Sequence, residues 1–117
     1  MSLHLSKRAA LDLDEIDQYS IKKWGKAVAD DYMQSIDFAL KTLNKNPSLL
    51  RSNTEYSTIF SLYRVREHYF VCSLHNQNII VLTVKSGNLD LPSRLFELEP
   101  TLIKEAEFLY SQLFKNP

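Results

Sequence analysis

Two helix-patterned segments meet at Trp24-Gly25, and no other stretch constrains the fold as much as this junction. Upstream runs Leu5-Ser6-Lys7-Arg8-Ala9-Ala10-Leu11-Asp12-Leu13-Asp14-Glu15-Ile16-Asp17-Gln18-Tyr19, with apolar residues at helical spacing. Downstream, Ala29, Tyr32, Ile36, Leu40 and Leu43 recur every three or four residues until Asn46-Pro47 ends the pattern. Glycine lacks a Cβ, so Gly25 can take the left-handed backbone that closes a helix, and it is predicted as the residue just past the first one. Helices joined this tightly must pack antiparallel along their apolar stripes. Ser6 is the predicted N-cap, because its hydroxyl can accept from a free amide of the first turn. Ala9, Leu13, Ile16, Tyr19 and Trp24 are expected to be buried, and Asp12, Asp14, Asp17 and Lys22 to face water.

On either side of this hairpin the periodicity is that of strands. Leu3-His4-Leu5 alternates as a short first strand. Residues 44–56 show no clear period and read as irregular. Residues 59–65, 69–75 and 79–85 are rich in β-branched and aromatic side chains, which suit a pleated surface. Arg66-Glu67-His68 and His75-Asn76-Gln77-Asn78 are the turns between them, so the three strands form an antiparallel meander that Gly87-Asn88 ends. Pro100 is predicted as the N1 residue of a terminal amphipathic helix through Ile103, Ala106, Leu109 and Leu113. The order β-α-α-β-β-β followed by a helix predicts an α+β domain, a helical hairpin packed on a small antiparallel sheet.

Composition limits the chemistry. At 117 residues the chain suits one hydrophobic core. Fourteen basic and fourteen acidic residues cancel, which argues against direct nucleic-acid or membrane attraction by bulk charge. From Arg51 to Arg94 there are five Lys/Arg against three Asp/Glu, a mild local bias. Residues 1–20 lack the apolar core of a signal peptide, and no apolar run reaches the ~20 residues of a membrane span. With the single cysteine Cys72, this predicts a soluble cytoplasmic protein. No metal site is read, because His4, His68, His75 and Cys72 lack ligand spacing. No cofactor is read either, since two glycines 62 positions apart cannot build a phosphate loop. Alternating strand aromatics could stack bases, but without a strong basic field core packing is the better account of them.

Laid end to end, these pieces resemble the ParE branch of the ParE/RelE toxin superfamily of bacterial toxin–antitoxin systems. The matching residues are Leu5-Ser6, Ala9, Asp12-Leu13, Glu15-Ile16 and Tyr19, then Trp24-Gly25. Next come Ala29, Tyr32, Leu43 and Asn46-Pro47, then Tyr63-Arg64-Val65, Tyr69 to Leu74 and Ile80-Val81-Leu82. The last is Leu89-Asp90, where the family often carries a His-x-Arg-Met-Asp segment. Here the His and Arg positions hold Ser86 and Asn88, leading to Asp90. The resemblance makes residues 1–95 a ParE/RelE-like toxin domain and 96–117 a C-terminal amphipathic helical extension of the same domain.

It also implies a toxin of a type II (plasmid stabilization) system, held inactive by a cognate antitoxin, ParD-like or other. ParE-like proteins poison DNA gyrase, whereas RelE-like relatives cleave ribosome-bound mRNA. RNA cleavage needs a base and cations that stabilise a phosphorane. The strand position of the family's sheet arginine corresponds to Tyr69, with Arg64, Arg66 and Lys85 remaining nearby. The resemblance therefore points to gyrase inhibition by binding, with no catalytic residue assigned. The alternatives are a RelE-like endoribonuclease and a degenerate, non-toxic antitoxin-binding module. A folding partner segment needs amphipathic anchors and charges that set its register. Tyr32, Tyr63 and Tyr69 are the expected anchors, and Arg64 and Arg66 the charged pair, set on opposite faces so that one of them meets the antitoxin.

Overall fold

In a computed structural model that describes residues 2–52, 54, 56–87 and 90–113, the first corner of the fold is set by Ser6. Strand β1 (Ser2–Leu5) ends there and helix α1 (Lys7–Trp24) starts from it. The Ser6 hydroxyl accepts from the Ala9 amide at 3.0 Å and donates to the Leu82 carbonyl at 2.8 Å. Its own amide donates to the Val81 carbonyl at 2.9 Å. The expected N-cap thus also fastens α1 to strand β5 (Asn78–Ser86). At the far end of α1, Gly25 adopts φ 94 and ψ 168. The positive φ is the one glycine was expected to supply, but ψ places it in the extended mirror region, not in the left-handed helix. Its N–H donates to the Ile21 carbonyl and its carbonyl accepts from Ala29. One residue thereby closes α1 and opens α2 (Lys26–Lys45) with no intervening loop.

Asn46 ends α2, and Pro47–Leu49 adds one 3-10 turn. The stretch read as irregular then contains a two-residue strand, β2 (Arg51–Ser52), paired antiparallel with Leu62 and Ser61. Two residues are too few to show a period, and the neighbouring strand supplies the pairing. Strands β3 (Ser61–Val65), β4 (His68–His75) and β5 form the expected meander. Its turns are only Arg66-Glu67 and Asn76-Gln77, so His68, His75 and Asn78 belong to strands. Asn76 and Gln77 have φ 50 and 64, the paired positive values of a type I′ hairpin turn. β1 joins parallel to β5, giving the order β1-β5-β4-β3-β2.

Alternation along the strands sends side chains to two cores. Phe70, Cys72, Ile79, Val81, Val84 and Val65 meet Ala9, Ile36, Ala39 and Leu43 of the hairpin. Leu62, Val71, Ile80 and Leu82 face the other way, with Phe60 just before β3, and helix α3 (Leu91–Leu113) covers them through Leu91, Leu95, Leu102 and Ala106. A bulge at Val71/Cys72 shifts the register of β5, so Ile79, Val81 and Val84 share a face despite their mixed parity. The molecule is three layers: hairpin, sheet, helix.

Three expectations fail here, each for a physical reason. The sequence reading starts the last helix at Pro100, yet α3 begins at Leu91 and Pro100 lies inside it. The apolar stripe from Leu91 to Ala106 runs through the proline. Burying three leucines at ~1.5–3 kcal/mol each outweighs the ~3 kcal/mol that an interior proline costs. Tyr19 and Trp24 are not core but 58% and 53% exposed, since the end of α1 stands clear of the sheet. Asp12 does not face water: its carboxylate accepts from the Thr83 hydroxyl at 2.5 Å and the Val84 amide at 3.0 Å.

Candidate partner-binding site

Toward the end of α1 a cleft of about 580 Å³ opens between the hairpin and the sheet, and Asp12, Glu15, Ile16, Tyr19 and Lys23 form one wall of it. The end of β5, with Val84 and Ser86, forms the other wall, and Tyr32 and His68 also line it. The cleft exists because β1 is four residues long and pairs with β5 only as far as Val81.

Tyr32 of α2 and His68 of β4 bond at 2.5 Å between the hydroxyl and Nδ1. Burial lowers the His68 pKa from its ordinary value, opposed by nearby Glu67, so neutral imidazole is favoured and Nδ1 accepts from the phenol. Burial likewise raises the pKa of Tyr32, partly offset by the Glu67 amide, which donates to its oxygen at 3.3 Å, and by Arg66. Arg66 takes φ 55 in the β3–β4 turn. From there its guanidinium lies 4.9 Å from the Tyr32 ring centroid and reaches Asp31 at 3.2 Å and Ser35 at 3.3 Å.

At the mouth of the cleft, Tyr19 and Trp24 meet edge to face, with centroids 5.9 Å apart. The Lys23 ammonium sits 5.5 Å and 4.8 Å from the two ring centroids and donates to the Tyr19 hydroxyl at 3.2 Å. Exposed aromatics held by a cation form a rigid amphipathic surface of the kind that anchors partners. Sequence reasoning assigned these rings to the core. The available signal was Lys22-Lys23 immediately before Trp24, since two charges at the end of a helix keep that turn in solvent.

On the opposite, α3-facing side of the sheet, Arg64, Tyr69 and Lys85 lie in register across β3, β4 and β5. The Arg64 guanidinium is 5.6 Å from the Tyr69 centroid, and its Nε donates to the Arg66 carbonyl at 2.9 Å. Tyr56 packs edge to face on Tyr69 at 5.5 Å. A Cβ on Gly87 would come 3.0 Å from the Tyr69 ring, so any other residue there would have to push the ring aside by a few tenths of an ångström.

The five expected contact residues therefore divide three ways. Tyr32 and Arg66 belong to the hairpin side, Arg64 and Tyr69 to the α3 side, and Tyr63 packs half-buried against the hairpin core and Phe70. Of the family-motif positions, Ser86 lines the cleft and Asp90 is exposed just before α3, where its carbonyl accepts from Arg94. Asn88 lies outside the described residues. Among the described residues, no group of three or more His, Cys, Asp or Glu is placed to hold a metal ion, and no helix is long and apolar enough to cross a membrane.

A family model described as the ParE toxin of the type II toxin–antitoxin system, parDE, matches residues 3–90. Among solved structures, the chain is similar to one described as a chromosomal ParDE TA system from P. aeruginosa. That match has a TM-score of 0.64 and 19% identity, covering 74% of this chain and 95% of that one. At this identity the likeness is one of fold. No curated protein matches the chain. Helix α3 lies wholly beyond the span of the family model.

Proposed function

The chain belongs to the ParE toxin family of type II toxin–antitoxin systems, and from that premise we propose that it inhibits DNA gyrase by binding, without chemistry of its own, and is neutralised in the cytoplasm by a cognate antitoxin. The observation that carries this reading is the family match over residues 3–90. The geometry adds support. The cleft between α1 and β5 is bordered by exposed Tyr19, Lys23 and Trp24 and by the Tyr32–His68 pair, a surface suited to gripping another protein. Aromatic and arginine side chains are the usual interface hot spots, each costing about 2 kcal/mol or more when truncated. Tyr32 and Arg66 on the cleft side, and Arg64 and Tyr69 on the other, are the residues we assign to partner contact. Arg64 and Arg66 do lie on opposite faces, so a segment covering one face touches one of them.

The test is gyrase supercoiling and cleavage-complex formation with the purified protein, alone and with the product of the adjacent reading frame. Inhibition that the neighbour's product relieves is the expected result. Codon-dependent mRNA cleavage on ribosomes, lost in Arg64→Ala, would replace this reading with an endoribonuclease. Absence of both activities in a protein that still binds its neighbour would leave a non-toxic binding module.

A further inference from the structure

The row Arg64–Tyr69–Lys85 presents two cations on either side of a phenol, and the contacts Arg64 makes, with the Tyr69 ring and the Arg66 carbonyl, leave its charge unneutralised. Adjacent strands lie about 4.8 Å apart, so the backbones of Arg64 and Lys85 are about 10 Å apart with Tyr69 midway. Both side chains can reach a ligand that accepts from the tyrosine hydroxyl. Among the described residues neither cation has a carboxylate partner, whereas Arg8, Lys26, Lys41 and Arg66 each pair with an acid. The row is also preset. Gly87 and Tyr56 hold the Tyr69 ring, and the Arg66 carbonyl holds Arg64. A charged group already fixed in place loses less side-chain freedom when a ligand arrives.

We propose that this row is a docking site for an acidic peptide segment, whose carboxylates bridge Arg64 and Lys85 and accept from the Tyr69 hydroxyl. The antitoxin is the natural source of such a segment, and to that extent the inference rests on the function proposed above. A peptide is favoured over single-stranded nucleic acid for two reasons. The chain has a net charge of zero, so it lacks the extended positive field that draws in a polyanion. The Tyr69 ring is already in contact with the Arg64 guanidinium, Tyr56 and the Gly87 backbone, so it has little open face for a base to stack on. What remains available is charge and one hydroxyl, which suits carboxylates.

The experiment is fluorescence anisotropy with a labelled octaglutamate peptide, with a labelled twelve-nucleotide oligo-dT in parallel, at low and at physiological salt. The peptide is expected to bind and to weaken as salt rises. Arg64→Gln and Lys85→Gln should each lower affinity about two- to fivefold, the range of partly exposed ion pairs, and the double variant by more than either. Lys85→Arg should restore binding, and Lys45→Gln on α2 should leave it unchanged. Tyr69→Phe, which keeps the ring and its packing, isolates the hydroxyl should the glutamine variants fold poorly. Absence of peptide binding, or equal binding by every variant, overturns the proposal. Tighter oligo-dT binding that the same variants abolish overturns it in favour of nucleic acid. Gyrase inhibition without peptide binding sinks the row alone, whereas peptide binding without gyrase inhibition sinks the target and leaves the row.

Discussion

Asp12→Ala should be among the most damaging changes available on the face of α1. One carboxylate oxygen accepts two bonds, from the Thr83 hydroxyl and the Val84 amide, in a half-buried setting. Hydrogen bonds to a charged group net about 1.5–3 kcal/mol each. Because the two share an oxygen their loss is not additive. Alanine would also leave the hydroxyl of Thr83, a residue with no exposure, without a partner. The expected cost is about 3 kcal/mol. For a chain of 117 residues the unfolding entropy is on the order of 0.25 kcal/mol/K, so the midpoint should fall by roughly 12 °C. Urea and thermal unfolding followed by far-UV circular dichroism would measure this, with Asp14→Ala as the comparison, two positions along and exposed. A double-mutant cycle with Thr83→Val should return a coupling of about 1 kcal/mol. If Asp12→Ala and Asp14→Ala differ by less than about 0.5 kcal/mol, the typical spread of surface substitutions, the reasoning is wrong.

Pro100→Ala should raise stability by about 1–3 kcal/mol, because it restores a donor and removes a ring from the middle of an exposed helix turn; the urea midpoint checks it. His68 is held below its ordinary pKa of 6.5, so the folded state binds fewer protons than the unfolded one. Its contribution is therefore complete above pH 6.5 and declines as the pH falls from there through the folded value, and His68→Gln should flatten the slope of unfolding free energy against pH over that range. Burial pushes the Cys72 thiol far up and closes it off, so thiol reagents should label it only at the rate of unfolding, which a denaturant series of labelling rates would reveal.

The hairpin and the meander were legible because each rests on neighbouring residues: Ser6 with Ala9, Gly25 between two periodic stripes, alternation from Ser61 to Val84. What escaped the sequence depends on residues far apart. Asp12 looked like one of three solvated aspartates because its partners stand 71 and 72 positions along the chain. Tyr19 and Trp24 fit the apolar stripe, but their burial depends on how far the hairpin overhangs the sheet, and that follows from the short reach of β1. Pro100 read as a helix start because proline favours N1, and the packing of Leu91 and Leu95 on the far face of the sheet was invisible to a local rule. At the candidate site, alternation alone would put Arg64 and Arg66, two positions apart, on one side; they part because Arg66 sits in the β3–β4 turn with φ 55, which local periodicity does not reveal. The alignment of Lys85 with Tyr69 was not legible, since it required the register across a bulge.

The pairing of β1 with β5 has a consequence for how the protein comes into being. Ser2 meets Asn78 across a gap of 76 residues, so the first strand made is joined to the last strand of the sheet. At synthesis rates of about 5–20 residues per second, β1 waits roughly 4–15 seconds for its partner. During that time the hairpin has helical propensity but an incomplete floor, because Ile79, Val81 and Val84 must still join Val65, Phe70 and Cys72. Any product truncated before β5 lacks the anchor points for Ser6 and Asp12 and cannot close the cleft. The cleft is thus assembled only when translation of the sheet is complete, and an interrupted message yields no part of it.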